Sequence, residues 1–231
     1  IDTSGKRSFD GTLLEYEFNR DVAIRIQNIL KKNGIKAELT CNDKHDLDLY
    51  QRAVVANKAN ADIFVSIHAN AYGSTWNDAN GWEIFVLNKG GKAEQIAKAI
   101  EKESIPFLGI NNRGIKTANF AVLRNTKMPA VLIEHAFYTN KKECELLKNN
   151  EFREKCAIAD AKGILKYLGA TWKGEVKMTK KDKELKKELT IKESINIVQK
   201  EAGLDDDTIQ FLLCYKYGDI LMKKLANGIN K

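Results

Sequence analysis

Histidine and proline are scarce in this 231-residue chain, with three of the first and two of the second. The four cysteines, Cys41, Cys144, Cys156 and Cys214, form no CxxC pair and no metal-type spacing. That argues against a disulfide framework and suits free thiols made in a reducing cytosol. No run approaches the roughly 18 consecutive apolar residues of a membrane span. The opening IDTSGKRSFDG has neither the apolar core nor the small-residue cleavage site of a signal peptide, so the reading is of a chain made in the cytoplasm.

What is present is material for one full core with a small appendage, since 43% of residues are hydrophobic and the mean hydropathy is −0.41. Thirty-eight Lys and Arg against 31 Asp and Glu leave +7, with a pI near 9.1, which favours a polyanionic neighbour without naming it. Nucleic acid is disfavoured because no helix-turn-helix, zinc-finger or RNP-like motif accompanies the basicity.

Hydrophobic periodicity predicts alternating helices and strands. Residues 15–33 place Phe18, Val22, Ile26, Ile29 and Leu30 at helical spacing and stop at Gly34. Residues 35–40 read as a strand, 47–60 as a helix, and DIFVSI (62–67) as a buried strand. After a Gly-, Asn- and Trp-containing loop over 72–80, GWEIFVLN reads as a strand and 92–104 as a helix. AVL (121–123) and AVLIEHAF (130–137) read as two more strands, and 141–148 and 152–168 as helices. Such alternation predicts an α/β fold with a mostly parallel twisted sheet, helices on both faces and chemistry at the strands' C-terminal ends.

From Thr171 the chain turns lysine-rich and poor in large apolar residues. The expected organisation is a main α/β domain over 1–172, a basic linker over 173–188 and a small helical domain over 189–231. That last segment is too short for a generous core, so it is expected to dock or to self-associate as a homodimer.

Two titratable residues are expected at one sheet edge: His68, where DIFVSI ends, and Glu134, near the end of AVLIEHAF. Each alone has an ordinary structural reading. Together they suggest a metal-ligating imidazole with a carboxylate able to take a proton from water.

The residues that carry this pair also carry a resemblance. GTLLEYEFNRDVA (11–23), TCNDKHDLDLYQRAVVAN (40–57), SIHAN (66–70), GWEIFVL (81–87) and NRGIKTANFAVLRNTKMPAVLIEHAFYTN (112–140) stand in the order seen in the zinc-dependent N-acetylmuramoyl-L-alanine amidases of the amidase-3 type, autolysins and endolysins among them. The resemblance covers Ile1 to about Gly169. It implies a peptidoglycan hydrolase cleaving the bond between N-acetylmuramic acid and L-alanine, acting at the cell wall after phage-type release or secretion. It further implies Zn2+ held by Glu15 and His68, with Glu134 as the catalytic base and Arg113 bordering the substrate groove. The basic linker and tail would suit an anionic wall polymer.

One departure stands out. Relatives begin with a strand ending in D-x-G-H-G, whose histidine is the first zinc ligand, and this sequence opens just beyond that motif. His45, in a polar loop, and His135, which strand alternation turns away from Glu134, are both expected to be structural. Two explanations compete: a preceding strand of about 5–6 residues lies outside the given sequence, or the protein is a non-catalytic wall-binding or regulatory relative without a complete zinc site. An α/β domain lacking a buried strand would leave ladder groups unpaired, which favours the first.

Overall fold

The structure is a computed structural model that describes residues 6–41, 47–173, 191–205, 208–209 and 226. The expected positions His45 and Cys214, and the basic linker beyond Lys173, lie outside these residues. The chain divides into two units, Ile1–Gly174 and Glu175–Lys231.

In the first unit, helix α1 (Glu15–Lys32) buries Phe18, Val22, Ile26 and Leu30, a stripe at four-residue spacing. It ends where Gly34 takes φ 85°, a conformation that lets the chain reverse toward Ile35 without a Cβ clash. Helix α2 (Leu49–Lys58) starts from Asp48, whose carboxylate accepts from the Gln51 N–H at 2.8 Å. Strands β1 (Phe64–Asn70) and β2 (Trp82–Val86) follow, then α3 (Lys92–Leu108), β3 (Asn112–Thr117), α4 (Ala121–Asn125), β4 (Ala130–Phe137), α5 (Lys141–Lys148) and α6 (Asn150–Tyr167). In the second unit, α7 (Ile191–Ala202) contributes Val198 to a small cluster with Ile209 and Ala226.

Among the described residues the sheet has four strands in the order β1-β4-β2-β3. β1 pairs parallel with β4, and β2 parallel with β3, but β2 runs antiparallel to β4, so the sheet is mixed. The alternating pattern of β4 sorts its residues between two cores. Val131 and Ile133 join Ile67, Ile84 and Val86 under α1, α3 and α6, while Ala130 and Leu132 join Phe64, Val122 and Leu123 on the side of α2 and α4. Helices therefore cover both faces, as expected. α3 and α6 approach closely at Gly163, where a Cβ would lie 2.4 Å from the Ile100 Cα.

Three local expectations are corrected. Residues 35–40 form no strand; Ile35 and Ala37 pack against the core, but no neighbouring strand offers them a ladder among the described residues. AVL belongs to helix α4, where Val122 and Leu123 bury against the α2 side; a three-residue apolar run has no period to separate helix from strand. NRGIKT is strand β3, which was not anticipated because it is charged, holds a glycine and lies exposed or half-buried at the sheet edge.

The outer side of β1 carries no strand among the described residues. A cavity of about 680 Å³ runs along it, lined by Ile26, Leu30, Ile35, Ala37, Val55 and Ile63 among others.

Candidate active site

The strand register assembles the site. His68 on β1 pairs with Glu134 on β4, and Glu134 pairs in turn with Glu83 on β2, so the three stand in a row across the sheet. Because β2 is antiparallel, its first residues arrive at the edge where β1 and β4 end. Glu15, the first residue of α1, reaches the same edge, and its Oε1 lies 2.8 Å from His68 Nδ1. The structure thus brings Glu15, His68 and Glu134 together. A carboxylate in the first turn of a helix is also favoured by the aligned peptide dipoles.

Each side chain is held by neighbours that the sequence reading did not name. The Asn19 amide, one turn along α1, donates to Glu15 Oε1 at 3.0 Å, and Ser66 Oγ lies 2.9 Å from His68 Nε2. Burial alone would push the Glu15 carboxyl up, but hydrogen bonds from His68 and Asn19 outweigh it and hold the group below its ordinary value.

Glu134 is in the opposite situation. Its Oε2 is buried with no hydrogen-bond partner among the described residues, and burial, reinforced by the charges of Glu15 and Glu83, drives its carboxyl well above the usual range, while the Lys6 ammonium works the other way. Nearby Tyr138 is pushed up to about 12 by burial and by the charges of Glu15 and Glu134.

His135 faces away from this row, as alternation predicted. It is fully buried, with Nε2 2.7 Å from Asp160 Oδ2 and Nδ1 3.3 Å from the His68 carbonyl oxygen. Ser104 donates to the other Asp160 oxygen at 3.1 Å. This cluster joins β4 to α6 and braces the backbone of His68.

Arg113 lies on β3 rather than beside Glu134. Its Nε donates to Glu83 Oε2 at 2.6 Å, and its guanidinium stands over the Phe137 ring, 4.9 Å from the centroid. Glu143 on α5 accepts from the Gly81 and Phe137 backbone N–H groups at 2.8 and 2.7 Å, tying the loop before β2 to the end of β4. Glu83, Lys116 and Glu143 were legible as charges but not as parts of a site, since only the sheet order brings them there.

As a donor set, the Glu15 carboxylate and His68 imidazole suit a borderline metal such as zinc, and the unpartnered Glu134 oxygen suits a water or a polar substrate atom beside it. Among the described residues no third His, Cys, Asp or Glu joins the pair to complete a metal site.

An α/β protein with an imidazole–carboxylate pair and a protonatable carboxyl at one sheet edge is the class that fold and site define. The sequence model of the N-acetylmuramoyl-L-alanine amidase family, Amidase_3, matches residues 2–166, and the chain belongs to that family. It is 36% identical over 157 residues to the N-acetylmuramoyl-L-alanine amidase LytC of Bacillus subtilis, covering 67% of this chain and 31% of LytC. It is 32% identical over 174 residues to the endolysin of Bacillus phage SPP1, covering 71% of this chain and 63% of the endolysin. Among solved structures, the catalytic domain of the amidase CwlV from Paenibacillus polymyxa superposes with a TM-score of 0.69 at 35% identity, covering 74% of this chain and 94% of that one. An N-acetylmuramoyl-L-alanine amidase from Clostridium difficile gives 0.70 at 31% identity, covering 75% and 93%. The matched region is thus a catalytic-domain length, and the chain spans under a third of LytC.

Proposed function

We propose that this protein hydrolyses the amide between N-acetylmuramic acid and L-alanine in peptidoglycan, with zinc held by Glu15 and His68 and with Glu134 as general base. The observation that carries the reading is the row at the sheet edge: His68 paired with Glu134 across β1 and β4, with Glu15 2.8 Å from the imidazole. When bound, zinc would polarise the amide carbonyl and lower the pKa of a water toward neutrality.

The chain's own residues then have distinct tasks. Glu134 takes the proton of the attacking water on Oε2 and returns it to the departing alanine nitrogen, so that a carboxylic acid and a free amine leave. Without a metal, burial and the charges of Glu15 and Glu83 raise this carboxyl; a bound dication beside it would oppose that shift and favour the ionised form that accepts the proton. Asn19 and Ser66 orient Glu15 and His68, and Arg113 borders the groove. The outer side of β1, which carries no strand among the described residues, is where the additional strand implied by the resemblance would pair, bringing a first zinc histidine beside His68. We further propose that the lysine-rich linker and helical tail hold the enzyme to an anionic wall polymer.

Analysis of digested walls tests the reading. Release of new L-alanine amino termini without new reducing ends is the expected result, and new reducing sugar would identify a glycosidase instead. The second reading is a non-catalytic wall-binding or regulatory relative. It predicts wall binding with neither product.

A further inference from the structure

The bulge on β3 deserves a role, because it turns two cations onto one carboxylate. Trp82 pairs with Asn112, but the next residue, Glu83, pairs with Gly114, so Arg113 is the extra residue. Gly114 sits at φ 80°, a conformation other residues rarely adopt. Arg113 and Lys116, three apart on a strand, would ordinarily face opposite sides; across the bulge both reach Glu83. Arg113 Nε and Lys116 Nζ lie 2.6 and 2.5 Å from its Oε2, and Asn70 Nδ2 donates to Oε1 at 2.7 Å.

Glu83 is only 5% exposed and cannot serve as a surface ligand. The two cations around it leave one net positive charge, and their side chains remain 34% and 38% exposed. Arg113 Nη2 and two of the three Lys116 protons have no partner among the described residues. Buried Glu83 thus serves as a positioning residue that holds the two cations side by side, with donors to spare, two strands from Glu134.

Their place in the sheet sets how far along a bound stem peptide they can reach. Glu83 neighbours Glu134 on the adjacent strand, and β3 is one strand further, on the side away from His68. At about 4.8 Å per strand that places the cations about 10 Å from the base before side-chain reach is counted. An extended peptide advances about 3.5 Å per residue, so the second residue beyond the muramoyl carbonyl lies about 7 Å out. We infer that Arg113 and Lys116 bind a free carboxylate on the second residue of the stem peptide, and that they select acidic over amidated stems. This rests on the amidase reading.

The test uses the full-length protein with two soluble muramoyl peptides that differ only in whether the second residue's carboxyl is free or amidated. Charge-assisted hydrogen bonds of this kind imply kcat/KM about 10- to 100-fold higher for the free acid. The difference should reside mainly in KM. Lys116→Gln should bring the acid form down toward the amide form and collapse the ratio, and Lys116→Arg should restore it. Equal use of both peptides by the parent protein, or preference for the amide, overturns the inference while leaving the amidase reading intact. An unchanged ratio in Lys116→Gln overturns it as well. Cleavage of neither peptide overturns both.

Discussion

His135→Leu offers a quantitative test of how the site is braced. The substitution removes the donor to Asp160 Oδ2 and leaves a fully buried carboxylate with, among the described residues, the Ser104 hydroxyl as its one side-chain partner. Breaking a buried pair in this way costs about 3–5 kcal/mol. For a domain of this length each kcal/mol shifts the melting temperature by about 2–4 °C, so a fall of about 6–20 °C is expected. Replacing both members, His135→Leu with Asp160→Leu, removes the orphaned charge and should recover most of that loss, since an apolar pair of similar volume is commonly tolerated. Denaturation followed by tryptophan fluorescence reads this unit alone, because Trp76, Trp82 and Trp172 all lie before the second unit begins. Additive losses in the double variant would refute the argument, since His135 and Asp160 would then not act as one unit. Because His135 also faces the His68 carbonyl, the single variant should weaken zinc binding, whereas Ser104→Ala should barely alter it.

Glu134→Gln should keep zinc and lower kcat by about 10²- to 10⁴-fold, the range lost with a general base, and full activity in that variant would remove Glu134 from the mechanism. Glu15→Ala and His68→Ala should each lose the metal, measured by elemental analysis of the purified protein; unchanged zinc content would reassign the ligands. Gly163→Ala places a methyl 2.4 Å from the Ile100 Cα and 2.9 Å from the Ala99 carbonyl oxygen, so helices α3 and α6 must separate. A cost of about 1–3 kcal/mol is expected in the same fluorescence assay. A parent-like midpoint would show that the helices yield freely there.

Much of this was legible in residue order. Four-residue spacing from Phe18 to Leu30 defines α1, and Glu15 at its start follows from that alone. Alternation along AVLIEHAF decides that Glu134 and His135 point to opposite faces, because successive strand residues must. The polar residues ending the two hydrophobic strands marked His68 and Glu134 as neighbours before any register was known.

Tertiary structure decided the rest. The direction of β2 and its insertion beside β4 are set by contacts between segments about 50 residues apart, which no local pattern encodes, and they bring Glu83 into the row with Glu134. The bulge at Gly114 was likewise invisible, since a glycine among charged residues reads as a loop until a neighbouring strand supplies its ladder. The partner of His135 could not be read locally either, because Asp160 is 25 residues away on α6. Sequence alone determined which side chains could do chemistry at the sheet edge. Long-range pairing decided which of them share a face, which neutralise one another, and which remain free to meet a substrate.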